Sequence, residues 1–149
     1  MKNKVIVTAL LLLCMACRNS KKTLLVREKS VNGFDLQLQY LPSEDKEVLR
    51  FRLNVRNADG ATMKHTDDVR FNYGLDSLFA FVNMADTIHP VDVIRVANGN
   101  LNGVEFMLLF SRPDNYSGAD GQVIFKDWLF TSQLMAFPVE GLDALNQQI

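Results

Sequence analysis

The chain of 149 residues is 48% apolar and 22% charged, with a formal net charge of −1. Those proportions are ordinary for a globular protein, and the absence of a basic excess argues against nucleic acid as a partner. No repeat or low-complexity tract divides the chain, so a single folded domain is expected.

Met1, Lys2, Asn3 and Lys4 give a basic start, followed by an apolar run over residues 5–15 and the small residue Ala16 before Cys17. The run has the length of a secretory core and falls well short of the ~20 residues that a membrane-spanning helix needs. It reads as a targeting segment, not as fold. Cys14, Met15, Ala16 and Cys17 resemble the lipobox of bacterial lipoproteins, although that motif usually carries Leu and a small residue where Cys14 and Met15 stand. The resemblance covers only residues 1–17 and implies a diacylglycerol thioether on Cys17 with cleavage before it. The competing reading is an ordinary secretory signal whose cysteines are incidental. At about 0.8 kcal/mol per buried methylene, more than one acyl chain holds a protein to a bilayer stably.

The resulting organisation is a signal peptide at 1–16, a lipidated tether at 17–23 and one domain at 24–149. Arg18, Lys21 and Lys22 of the tether suit anionic head groups, or simply a solvated linker. The lack of Asp after Cys17 resembles outer-membrane sorting in Gram-negative lipoproteins, on either the periplasmic or the surface face. Removing Lys2 and Lys4 shifts the formal charge to about −3. With both cysteines in the leader, the domain has no disulfide, and roughly 130 residues suffice to bury a core unaided. A redox role for Cys14-x-x-Cys17 is rejected, because such a pair belongs beside a strand and helix of a folded domain.

Beyond the tether, alternation dominates. Phe34, Leu36, Leu38 and Tyr40 alternate with Asp35, Gln37 and Gln39, and after a Pro-Ser-Glu-Asp break Leu49, Phe51, Leu53 and Val55 alternate with Arg50, Arg52, Asn54 and Arg56. This predicts an antiparallel pair. Ala58, Asp59 and Gly60 form a turn, and Val69, Phe71 and Tyr73 alternate as a further strand. Residues 75–82 predict a short helical turn running into a strand. Val91, Val93 and Arg95 lie on one side of the next strand, with Asp92, Ile94 and Val96 on the other. After a turn at Asn98, Gly99 and Asn100, residues 104–110 are apolar on both sides after the start at Glu105, which predicts a central, covered strand. A loop over 112–121, strands at 123–130 and 134–139, and a terminal helix presenting Leu142, Leu145 and Ile149 complete the expectation. The fold class is therefore mainly β, an antiparallel two-sheet sandwich of immunoglobulin-like or transthyretin-like arrangement with short helical pieces. Trp128 is a candidate core residue.

Residues that carry chemistry are sparse. His65 stands near Asp67 and Asp68, but no second His or Cys is close, so a polar turn is preferred to a metal site. His89 precedes Pro90 in a bend, where a partly exposed imidazole is the ordinary explanation. Asp114, Asn115 and Asp120 lack the closing glutamate of a calcium loop. No Gly-x-Ser-x-Gly elbow is present. No catalytic residue, metal or cofactor is assigned, and the chain reads as a non-enzyme. The candidate interaction residues are Arg50, Arg52 and Arg56, which project from one face of a strand, and Tyr116 at a glycine-rich loop tip. Arg suits an acidic protein or a lipid phosphate, whereas a cross-strand pair of Asp35 with Arg52 is the bland alternative. The expected partners are the membrane, through the N-terminal lipid, and another envelope protein, as in small lipoproteins of secretion or conjugation machines. An accessory solute-binding or hydrolytic lipoprotein, or an inhibitor or immunity protein, is the alternative.

Overall fold

Two residues with positive φ, Asn32 and Gly33, reverse the chain between its first two strands and set the register of that pair. Asn-Gly is the preferred pair for a two-residue hairpin because both central residues must be left-handed. The structure is a computed structural model that describes residues 25–63, 69–84, 86–114, 116, 118–142 and 145.

Nine strands are present among these residues: β1 (Val26–Val31), β2 (Phe34–Tyr40), β3 (Val48–Asn57), β4 (Phe79–Asn83), β5 (Asp86–Ile88), β6 (Asp92–Val96), β7 (Gly103–Ser111), β8 (Gly121–Asp127) and β9 (Gln133–Pro138). They form two antiparallel sheets, a five-stranded one in the order β1-β2-β3-β7-β6 and a four-stranded one in the order β5-β4-β8-β9. The fold is thus the mainly β, two-sheet antiparallel sandwich that the alternation predicts.

The core lies between the sheets. Leu36, Leu38 and Tyr40 of β2, Leu49, Phe51, Leu53 and Val55 of β3, and Val104, Phe106, Leu108 and Phe110 of β7 meet Phe79 and Phe81 of β4, Val123 and Phe125 of β8, and Met135 and Phe137 of β9. The rings interlock across the gap: Phe79 meets Phe106 with centroids 5.9 Å apart, and Phe81 lies between Phe51 at 6.3 Å and Phe110 at 5.9 Å. Offset and edge-on contacts of this kind add about 0.5–1.5 kcal/mol each beyond the area they bury.

Several expectations need correction. The Val69, Phe71, Tyr73 alternation does not form a strand; Val69–Phe71 is a 3-10 turn that puts Phe71 into the core and leaves Val69 and Tyr73 exposed. A period of two over three apolar residues is too short to outweigh the connection it lies in. Leu75–Leu78 is a second 3-10 turn, leading directly into β4 as expected. β7 is interior to its sheet, but only its inner face is covered, and Met107 and Leu109 on the outer face are half-buried. Trp128 is not a core residue: it sits in the β8–β9 turn and is 67% exposed. Leu142 is buried and Leu145 packs against the core, while Ile149 lies outside the described residues.

β1 turns the usual pattern inside out. Its register sets Arg27 opposite Leu38 and Lys29 opposite Leu36, so both cations point to the inner side of the sandwich at its edge. There the Arg27 Nε donates to the carbonyl of Pro138 at 2.9 Å, and the Lys29 ammonium lies 5.8 Å from the centre of the Phe137 ring. The two edge strands β1 and β9 are thereby joined by side chains where no backbone ladder links them. Inward charges on an edge strand also discourage pairing with another chain.

The sandwich has two dissimilar ends. Leu25, whose carbonyl accepts from the Tyr40 amide at 2.9 Å, enters at the end that carries the β2–β3 and β7–β8 loops. The opposite end gathers the β1–β2 turn, the start of the β3–β4 connection, the β6–β7 turn and the β8–β9 turn, tied by amides of Ala58 to Gly33 at 2.9 Å and Met63 to Leu101 at 2.8 Å.

Candidate interaction surface

Because side chains on a strand alternate, the residues of β3 that do not enter the core must share the outer face of the five-stranded sheet. Arg50, Arg52, Asn54 and Arg56 do so, with Arg50 and Arg52 half-buried and Arg56 exposed. The register sets Arg52 beside Gln39 and Met107, and Arg56 beside Asp35 and Gly103. The expected pairing of Asp35 with Arg52 is therefore replaced by Asp35 with Arg56. The Arg52 Nε instead approaches Glu105 Oε1 of β7 at 3.3 Å, and Asn98 Nδ2 donates to the other oxygen of Glu105 at 3.2 Å. Asp35 accepts from the Ser30 hydroxyl at 2.6 Å, and Gln37 donates to Glu28 at 2.7 Å.

The same face changes character across the sheet. The β1–β3 half is polar, whereas the other half carries Met107 and Leu109 of β7 and Ile94 and Val96 of β6 between the acids Asp92 and Glu105. Ile94 is 49% exposed, and Val91 next to β6 is also open to solvent. Arginines flanking an open apolar strip have the composition of a protein–protein contact, where Arg is enriched and the centre is apolar. Arg50 and Arg56 project away from the core, whereas the Arg52–Glu105 pair, with side chains 38% and 13% exposed, is partly sheltered from solvent.

Tyr116 belongs elsewhere. It is 6% exposed, its hydroxyl donates to the Val139 carbonyl at 3.0 Å, and its ring meets Phe81 edge-on at 5.3 Å. The Arg112 guanidinium lies over that ring, 5.6 Å from its centre. The loop-tip residue expected to meet a partner is in fact the anchor that pins the β7–β8 loop to the core. Aromatic burial with a satisfied hydroxyl outweighs the glycine content of the loop around it.

The remaining candidates are dispersed. His89 is exposed ahead of buried Pro90, and Asp114 and Asp120 are exposed, while His65, Asp67, Asp68, Asn115 and Cys17 lie outside the described residues. No group of three metal-ligating side chains occurs among the described residues. No helix among them is long and apolar enough to cross a membrane.

One feature escaped the reading of the sequence. At the end opposite Leu25, a cavity of about 390 Å³ is lined by Phe34, Met63, Phe71, Leu129 and Phe130, with Asn57, Ala61, Thr62 and Arg70 completing the wall. Phe130 contacts Phe34 at 5.7 Å and Phe71 at 5.4 Å between ring centroids. Its walls come from separate stretches of chain, so no local motif announces it.

Comparison with known proteins finds no family model that matches the chain, no matching curated protein and no matching solved structure. The fold and its surfaces alone therefore bear on function.

Proposed function

We propose that the protein is a lipid-anchored envelope lipoprotein of the outer membrane, held through Cys17, whose sandwich is a non-catalytic binding module for another envelope protein. The observation that carries this reading is the outer face of the five-stranded sheet, where Arg50, Arg52 and Arg56 stand beside the open apolar strip of Ile94, Met107 and Leu109. The lipobox-like run ending at Cys17 supports the anchor. An acidic protein surface with an apolar centre would complement both halves of the face.

Two variants separate the parts of the proposal. Arg50→Gln with Arg56→Gln should abolish cross-linking to the partner in intact envelopes while leaving the melting temperature within a degree or two, since neither side chain enters the core and neither change sets a like charge opposite Asp35. Cys17→Ser should release the protein from the membrane fraction. Unchanged cross-linking in the arginine variant excludes the face, and a mature amino terminus without acyl groups by mass spectrometry excludes the anchor.

A further inference from the structure

We propose that the outer face of the four-stranded sheet lies against the anionic bilayer to which Cys17 would be joined, so that the arginine-bearing face of the other sheet points away from the membrane. The inference rests on the lipid-anchored reading and adds to it which side of the domain meets lipid.

The two outer faces of the sandwich differ in charge. In the four-stranded sheet Phe79, Phe81, Val123, Phe125, Met135 and Phe137 enter the core, so the residues that alternate with them face outward. Ala80, Ile124 and Ala136 make one row across the strands, and Val82 stands beside Gln122 in the next. Among the described residues at outward positions of this sheet, Lys126 is the charged one and no acid occurs. The five-stranded sheet instead carries Asp35, Asp92 and Glu105 outward, carboxylates whose loss of water against lipid is costly.

The exposed apolar residues of the neutral face suit a bilayer surface. Trp128 and Leu134, 67% and 71% exposed, flank the β8–β9 turn, and Lys126 lies opposite Leu134 in the register. Met84, 70% exposed, stands in the β4–β5 turn at the other end of the sheet. Tryptophan settles at the level of the head groups, and a lysine lays its stem on apolar surface while its ammonium reaches a phosphate. The tether also leaves from the appropriate edge. The Arg27 Nε donates to the Pro138 carbonyl, which sets the start of β1 beside β9 at the margin of this sheet. The chain from Cys17 to Leu25 reaches up to about 27 Å, more than the ~23 Å length of β8, so the domain can lie on its side.

Trp128 is the single tryptophan of the chain and reports the contact directly. The full chain as isolated from envelopes should be incorporated into phosphatidylethanolamine–phosphatidylglycerol vesicles, with and without bromine on the acyl chains. Flotation together with an acylated amino terminus by mass spectrometry reads the anchor, and quenching of Trp128 by bromine reads the face. A blue shift of the emission is expected, with a loss of at least about twofold in brominated vesicles. Leu134→Ser with Lys126→Gln should restore most of the emission while the protein still floats, and thermal melts establish that this variant remains folded. Lys126→Gln alone should weaken quenching in the anionic vesicles and leave it unchanged in phosphatidylcholine. Flotation of the acylated chain without quenching overturns the orientation and leaves the anchor standing, whereas absence of the acyl groups overturns both. Undiminished quenching in the folded double variant overturns the face. A blue shift that bromine does not quench and that grows with the protein-to-lipid ratio marks a second copy on the face and equally overturns the proposal.

Discussion

Asp127 is fully buried, and both of its carboxylate oxygens serve the turn that follows it. Oδ1 accepts the amides of Leu129 and Phe130, while Oδ2 accepts the amide of Thr131 and its hydroxyl at 2.6 Å. Its alanine variant would leave those donors without an acceptor, and a loss of about 2–4 kcal/mol is expected from urea unfolding curves. A loss below about 1 kcal/mol would mean that water replaces the carboxylate freely. Large aromatics divide just as sharply by place. Phe51 is completely buried among Tyr40, Phe81 and Phe110, so Phe51→Ala should cost about 3–5 kcal/mol by the same measurement. Trp128→Ala, at an exposed site, should stay within about 0.5 kcal/mol. Composition cannot make this distinction. Trp128 and Tyr116 exchange the surroundings their residue types suggest, because burial depends on which distant segments close over a side chain.

Among the strands, β1 is the informative one. Its Asn32-Gly33 turn is the strongest short hairpin signal in the chain, yet the strand is hard to read, because Arg27 and Lys29 occupy the inward positions where apolar residues normally mark the period. β2 and β3 are legible for the opposite reason, with apolar residues at every inward position but Asn57 at the end of β3. That same period made the arginine row of β3 legible, since it fixes side without reference to any other strand. The end cavity was illegible because Phe34, Met63, Phe71 and Phe130 share no local spacing. Replacing both inward cations, Arg27→Val with Lys29→Val, should expose an apolar edge and produce concentration-dependent self-association by light scattering, while the parent stays monodisperse. A second test at this level concerns β8. A Cβ on Gly121 would stand 2.8 Å from Phe81 and 3.0 Å from the Tyr116 hydroxyl, so Gly121→Ala should cost about 1–3 kcal/mol through forced repacking.

For the molecule as a whole, stability rests on packing between sheets rather than on covalent links. Both cysteines fall within the first 17 residues, so reductant should leave the thermal unfolding midpoint unchanged, which differential scanning calorimetry checks directly. The two ends of the sandwich then acquire a mechanical meaning. Leu25 enters β1 at one end, and β1 runs antiparallel to β2 along the length of the sheet, with its hydrogen bonds perpendicular to the strands. Tension between the tether proposed to be acylated at Cys17 and anything gripped at the far end would pull along those strands, loading the β1–β2 ladder in shear so that its bonds must fail together rather than unzip one by one.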